Sequence, residues 1–118
     1  MAERETIQFD VLFVGAGIAS LSAAIQLKKI LAAQQLSAEI AIIEKAKSVG
    51  SHSISGAVMD PRGIVELIPD YLSKGMPYER KVEKEAVFFL TPNTQFKSPV
   101  IPSFFQNHHN LIISVSQV

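Results

Sequence analysis

The stretch that decides the fold runs Asp10-Val11-Leu12-Phe13-Val14-Gly15-Ala16-Gly17-Ile18-Ala19-Ser20. Its apolar first half is rich in β-branched and aromatic residues, which predicts a strand over 8–14 that is buried on both faces. Glycines at positions 15 and 17 then end the strand. From Ile18 to about Gln35 the residues are good helix formers, so we predict a helix there. The pattern is a strand, a tight turn and a helix.

A second strand completes the unit. Residues 39–44 read Glu-Ile-Ala-Ile-Ile-Glu, and their centre is apolar. Two buried strands around one helix predict a right-handed βαβ unit with parallel strands over 8–44. We therefore assign the chain to the α/β class, as a Rossmann-like dinucleotide-binding unit.

The turn between the first strand and the helix has the pattern G-x-G-x-x-S. The first glycine permits the tight turn, and the second lets the backbone approach a pyrophosphate, which then lies at the helix N-terminus. An acidic residue at the end of the second strand accepts hydrogen bonds from ribose hydroxyls and repels a 2′-phosphate. The alternative is an ordinary glycine turn with a solvated carboxylate at the strand end. The predicted cofactor contacts are Gly15, Gly17, Ile18, Ala19, Ser20 and Glu44.

Composition excludes several classes of function. With 118 residues the chain forms one domain at most, and its formal net charge of zero gives no electrostatic basis for binding nucleic acid. The chain has no cysteine, so it supplies no disulfide, thiolate metal site or iron–sulfur ligand. Residues 1–10 lack the apolar run of a targeting segment, and no stretch is long and apolar enough to span a bilayer.

Several blocks further along resemble the electron-transfer flavoprotein–ubiquinone oxidoreductase family. They occur in the family's order and at similar spacing, from Phe9 to the end of the chain. The most specific blocks are Glu44-Lys45-Ala46, Gly50-Ser51-His52-Ser53-Ile54-Ser55-Gly56-Ala57-Val58, Asp60-Pro61-Arg62 and Glu66-Leu67-Ile68-Pro69-Asp70-Tyr71.

The resemblance implies that residues 1–118 are the amino-terminal part of an FAD-binding domain, incomplete by themselves. In the family, electrons pass from electron-transfer flavoprotein to ubiquinone through FAD and a [4Fe-4S] cluster in the carboxyl-terminal part. This chemistry belongs to the cofactors, so no catalytic side chain is assigned. The family's flavin-side loop corresponds to residues 50–58. The resemblance adds Lys45, Ser53, Ser55 and Gly56 to the cofactor contacts.

The chain departs from the family at three positions and in length. Ile18 stands where relatives carry proline, and Ser20 stands where they carry glycine. His109 stands where relatives usually have glycine. Family members are several times longer. Two alternatives remain: a geranylgeranyl-reductase-like flavoprotein, and a fragment that binds no flavin alone and depends on a partner.

The second half predicts smaller elements. Asp60 is the expected N-cap of a short helix that ends before Pro69, and residues 71–84 read as a loop. A β-hairpin is predicted over 85–105, with strands at 85–90 and 95–101. A strand over 111–115 is expected to lead into a helix that begins after Ser116.

The hairpin segment is unusually apolar. Residues 88–105 contain many large apolar side chains, which predicts that this segment contacts one leaflet of a membrane without spanning it. The resemblance implies that this membrane is the bacterial or the mitochondrial inner membrane. The alternative is that other parts of the protein cover these side chains. We interpret His52 as structural and assign no metal to His108 and His109, because adjacent residues rarely face one ion.

Overall fold

The computed structural model describes residues 5–118, which divide into two compact units that meet in sequence at Ser53 and Ile54. The prediction that residues 1–10 contain no targeting segment therefore lies partly outside the described residues. Within residues 5–118, no helix is long and apolar enough to cross a membrane.

The first unit is the predicted βαβ arrangement. Strand β1 (Val11–Val14) leads through the glycine turn into α1 (Ile18–Ala33), and β2 (Ile40–Ile43) follows. The two strands are parallel, with Val11 opposite Ile40 and Val14 opposite Ile43. The predicted fold class is confirmed, and both strands are shorter than the apolar runs that predicted them.

One expectation about β1 is wrong. The strand was expected to be buried on both faces, but its residues alternate, and the side chains of Leu12 and Val14 are 50% and 78% exposed. Within this unit one helix packs against the strand pair. A single helix covers one face of a sheet, so the alternate side chains of β1 remain uncovered.

The second unit is built around a three-stranded antiparallel sheet. The central strand, β7 (Leu111–Ile113), pairs with β3 (Ala57–Met59) on one side and with β4 (Arg80–Lys81) on the other. The core of the second unit consists of Leu111, Ile113 and Tyr71, whose side chains are each at most 9% exposed. The elements of this unit are β3 (Ala57–Met59), α2 (Arg62–Leu67), β4 (Arg80–Lys81), β5 (Phe88–Leu90), β6 (Gln95–Lys97) and β7 (Leu111–Ile113).

Three local predictions need correction here. Strand β4 lies inside the segment 71–84 that was predicted as a loop. Pro61, not Asp60, is the N-cap of α2, although an Asp60 carboxylate oxygen accepts the Arg62 N–H at 3.0 Å. Strand β7 ends at Ile113 and not at residue 115, because residues 115–117 form a turn in which the Gln117 N–H donates to the Ser114 carbonyl at 2.9 Å; the helix expected after Ser116 stays a prediction.

The hairpin is present but shorter than predicted. Strands β5 and β6 pair antiparallel with Phe89 opposite Phe96, and the Thr91 N–H donates to the Thr94 carbonyl across the turn. The Ser98 N–H makes one more cross-strand hydrogen bond, to the Val87 carbonyl at 2.8 Å, after which the chain leaves the hairpin and Ser103–Phe105 form a 3-10 turn. Pro99 and Pro102 account for this early end, since proline has no N–H for a strand ladder.

Candidate functional site

The glycine turn joins β1 to α1. Gly15 has a φ of +94°, a left-handed conformation that residues with a Cβ rarely adopt. Its N–H donates a 2.7 Å hydrogen bond to the carbonyl of Ile43, at the end of β2. Gly17 has extended backbone and is the N-cap of α1. The shape of the turn therefore requires glycine at position 15. Gly17 has a backbone conformation that any residue can adopt, and its lack of a side chain leaves the helix end open.

The amino end of α1 is open. The N–H groups of residues 18–20 precede the first intrahelical hydrogen bond, from the Leu21 N–H to the Gly17 carbonyl. In this helix no side chain caps the end, and the first turn contains no acidic residue. A Cβ placed on Gly15 or Gly17 would meet no atom within 4 Å. Uncapped N–H groups at the positive end of a helix dipole, with open space beside them, fit the pyrophosphate of a dinucleotide.

Glu44 lies at the same edge of the sheet as this turn. It follows β2, whose last residue pairs with Val14 at the end of β1. One carboxylate oxygen accepts the Ala16 N–H at 2.8 Å, and the other accepts the Ala46 N–H at 2.8 Å. The side chain thus bridges the glycine turn and the segment that follows β2. Each oxygen retains a lone pair, so ribose hydroxyls can still donate to this carboxylate.

These contacts favour the ionised carboxylate. The N–H of Ala46, followed by that of Ala16, lowers the pKa of Glu44 below its ordinary value of 4.5, and His52 lowers it further through its charge. Partial loss of hydration opposes these effects without reversing them. Sequence reasoning treated His52 as structural and missed this electrostatic contact. It also missed Ala16 and Ala46, because a sequence does not reveal backbone donors.

The remaining predicted cofactor residues fall in both units. Lys45 is exposed next to Glu44, and the Ser53 N–H donates to the Gly50 carbonyl at 2.9 Å, within the first unit. Residues 15–20, Glu44 and Lys45 therefore lie together at one edge of the first unit. Ser55 and Gly56 belong to the second unit and are not part of that group.

In the second unit, Ser55 has neighbours that sequence reasoning did not identify. Its hydroxyl lies 2.9 Å from that of Ser114, which lies 3.2 Å from that of Ser116. Gly56 has a φ of +84°, and a Cβ there would meet no atom within 4 Å. Three hydroxyls therefore lie close together near an open backbone position.

The rings of the histidine pair are in contact and tilted relative to each other. The His108 and His109 rings lie 4.0 Å apart, at an interplanar angle of 55°. His109 has a φ of +72°, in the left-handed region. Across residues 5–118, no three histidine, aspartate or glutamate side chains form a group that could hold a metal ion.

The strand–turn–helix–strand unit, its uncapped helix end and the acidic residue at the same edge define a dinucleotide-binding protein of Rossmann-like fold. The family model described as an NAD(P)-binding Rossmann-like domain matches residues 14–86. The chain belongs to that family.

Similar proteins indicate a narrower group within this family of dinucleotide-binding domains. The chain is 43% identical over 115 residues to a protein of Dictyostelium discoideum, 40% identical over 117 residues to one of Arabidopsis thaliana, and 36% identical over 117 residues to one of Homo sapiens. All three are named electron transfer flavoprotein-ubiquinone oxidoreductase, mitochondrial, and each match covers at least 98% of this chain. The chain spans about a fifth of these relatives' length. They support the resemblance to this oxidoreductase family and do not favour the geranylgeranyl-reductase alternative.

Proposed function

We propose that this chain supplies the pyrophosphate and adenosine side of an FAD site in an electron-transfer flavoprotein–ubiquinone oxidoreductase. The observation that carries the proposal is the open glycine turn beside Glu44, with an uncapped helix end and a carboxylate at one sheet edge. The names of the relatives supply the class of enzyme. Residues 8–44 bind the dinucleotide, and residues 50–58 lie along the flavin.

In this role the chain binds and orients the cofactor. Backbone N–H groups at residues 18–20 hold the pyrophosphate, while Glu44 accepts ribose hydroxyls and repels the 2′-phosphate of NADP. Lys45, Ser53, Ser55 and Gly56 complete the contacts. Bound FAD supplies the redox chemistry, by accepting electrons from electron-transfer flavoprotein for transfer toward ubiquinone. Because these 118 residues contain no cysteine, the ligands of a [4Fe-4S] cluster come from outside them.

The hairpin extends the proposal to a membrane. Its side chains Phe89, Leu90 and Phe96 are 63%, 76% and 58% exposed, and Phe104 beyond it is 79% exposed. A cluster of large exposed apolar groups marks a contact with lipid or protein. We place this surface, defined as residues 88–105, on one leaflet of the inner membrane without spanning it. Lys97 then lies at headgroup level, with its stem along apolar surface.

The direct experiment is a binding measurement on the full-length gene product. Apoprotein is titrated with FAD, with quenching of flavin fluorescence as the readout, and ADP and NADP are added as competitors. We expect one FAD per chain, competition by ADP, and much weaker competition by NADP. No flavin binding, or equal competition by NADP, contradicts the proposal.

A further inference from the structure

The amino ends of β1 and β2 are joined by a side-chain contact that lies outside the proposed cofactor site. Asp10 precedes β1, and Glu39 precedes β2. The N–H groups of Asp10 and Val11 donate to the Glu39 carbonyl at 3.0 and 3.2 Å, and an Asp10 carboxylate oxygen accepts the Glu39 N–H at 2.8 Å. Asp10 therefore joins the strands through both its backbone and its side chain, whereas these contacts use only the backbone of Glu39.

This contact continues the register of the strand pair. Each residue of β1 is opposite the residue of β2 that lies 29 positions later, and Asp10 and Glu39 are separated by the same 29 positions. At the other end of the ladder, Glu44 follows β2 and accepts the Ala16 N–H at 2.8 Å. The Asp10 contact and the Glu44 contact therefore lie at opposite ends of one two-stranded ladder.

The apolar side chains of the two strands do not by themselves select this register. β1 reads Val-Leu-Phe-Val and β2 reads Ile-Ala-Ile-Ile, so every position of both strands is apolar. Sliding β2 by one residue turns its side chains to the other face of the sheet, but within the strands it only exchanges one apolar side chain for another. The polar contacts at the two ends of the ladder therefore distinguish this register from a shifted one.

A shifted register would displace Glu44 from the glycine turn. A slide of one residue moves β2 by about 3.3 Å along β1 and turns the Glu44 side chain to the opposite face. The contact with the Ala16 N–H would then be lost. We infer that Asp10 is a positioning residue: by accepting the Glu39 N–H it fixes the register of β2, and so places Glu44 where it discriminates against a 2′-phosphate.

This inference rests on the proposed function, because it concerns the placement of Glu44 in the dinucleotide site. Asp10 itself lies at the opposite end of the strands from the glycine turn. The structural alternative is that the Asp10 contact contributes to stability alone. A loss of stability that leaves Glu44 in place would lower the melting temperature and would not change the preference of the site between two ligands.

The test uses full-length apoprotein with Asp10→Ala and Asp10→Asn. The amide oxygen of asparagine can still accept the Glu39 N–H, whereas alanine offers no acceptor. Asp60→Ala is the matched control, because Asp60 is also exposed and its carboxylate also accepts a backbone N–H, that of Arg62, at 3.0 Å. The dissociation constant of FAD, the competition by NAD and by NADP, and the melting temperature are measured for each protein. NAD and NADP differ only in the 2′-phosphate, so their ratio reports the position of Glu44.

We expect Asp10→Ala to bind FAD about five-fold more weakly and to lose about five-fold of the preference for NAD over NADP, the effect of one hydrogen bond. Asp10→Asn should retain the affinity and the preference of the parent protein. Asp60→Ala should lower the melting temperature and change neither of them. If Asp10→Ala does not fold, Asp10→Glu, whose carboxylate is displaced by one methylene group, is measured in its place with the same expected loss of preference.

The preference between NAD and NADP decides the outcome. An unchanged preference in the Asp10 variants, or an equal loss in Asp60→Ala, overturns this inference and leaves the proposed function intact. A parent protein that does not bind FAD, or that does not prefer NAD over NADP, overturns the proposed function and this inference with it.

Discussion

The carboxylate of Glu44 accepts the backbone N–H of Ala16 at 2.8 Å, which ties the residue after β2 to the glycine turn after β1. Its second oxygen holds the Ala46 N–H at the same distance. The residue at this position therefore has a structural contact in addition to the ribose contact predicted from sequence. Glu44 holds the glycine turn and the segment after β2 at the same edge of the sheet. The backbone of these two segments is therefore already positioned for a ligand that contacts both segments.

Replacing Glu44 with glutamine removes one of these two contacts. The amide keeps one acceptor oxygen, but its NH2 group cannot accept an N–H. We expect Glu44→Gln to weaken FAD binding roughly ten-fold, as for the loss of a hydrogen bond to a charged group. Fluorescence titration measures the effect. Glu39→Gln, at the opposite end of β2, is the control and retains full affinity. Equal FAD affinity in both variants would show that Glu44 does not bind the ribose.

The same carboxylate gives a dependence on pH. Hydrogen bonds from Ala46 and Ala16 lower the pKa of Glu44 in the folded protein below its ordinary value of 4.5. A lowered folded pKa means that the stabilisation is fully present above the unfolded pKa and is lost as the pH falls through the folded pKa. The melting-temperature difference between the parent protein and Glu44→Gln should stay constant at about pH 5.5 and above, and shrink below about pH 4.5. A difference that is independent of pH would contradict this assignment.

A substitution at Gly17 tests cofactor binding without disturbing the shape of the turn. The Gly17 φ of −77° is available to any residue, and a Cβ there meets no protein atom. We therefore expect Gly17→Ala to fold normally but to weaken FAD binding roughly 10- to 100-fold, because the added methyl occupies space that the pyrophosphate needs. Melting temperature and fluorescence titration are measured together.

Gly63→Ala is the matched control for Gly17→Ala. Gly63 lies in α2, where a Cβ also meets open space, and alanine favours a helix by about 1 kcal/mol over glycine. This control should be slightly more stable and bind FAD normally. Unchanged FAD affinity in Gly17→Ala would show that the pyrophosphate lies elsewhere.

The sequence predicts the first unit better than the second. The βαβ unit has local signals: two apolar strands, helix-forming residues between them, and glycines where the chain turns. By contrast, β4 consists of the exposed, charged Arg80 and Lys81. It exists because it pairs with β7, about thirty residues further on, and no local pattern predicts such pairing.

The candidate site shows the same limit. The glycines and Glu44 are recognisable from their spacing, because the chemistry of a dinucleotide demands those residue types there. The contacts of Glu44 with backbone N–H groups and the approach of Ser114 to Ser55 depend on the fold, and a sequence does not state distances. Residues that act through the backbone, or through small hydroxyls, leave no distinctive pattern.

His109 occupies a left-handed backbone conformation, which favours glycine. Its φ is +72°, and left-handed backbone is strained for residues with a Cβ, although histidine tolerates it better than most. We expect His109→Gly to raise the melting temperature by roughly 2–4 °C through relief of that strain. His108→Gly is the control and should lower it, because glycine adds entropy to the unfolded chain. A lower melting temperature in His109→Gly would indicate that the contact between the two rings stabilises the turn by more than the backbone strain destabilises it.

The last prediction concerns the exposed apolar surface over residues 88–105. The rings of Phe104 and Phe105 lie 4.5 Å apart, and the two side chains are 79% and 50% exposed. If this surface lies in a leaflet, serine at both positions removes two large apolar groups from lipid, and each contributes about 1.5–3 kcal/mol when fully buried. We expect Phe104→Ser/Phe105→Ser in the full-length gene product to move the protein from the membrane pellet to the supernatant with FAD retained. Val49→Ser, at an exposed apolar side chain outside this surface, should remain in the pellet. A double variant that stays in the pellet and loses its fold would show that other parts of the protein cover the surface.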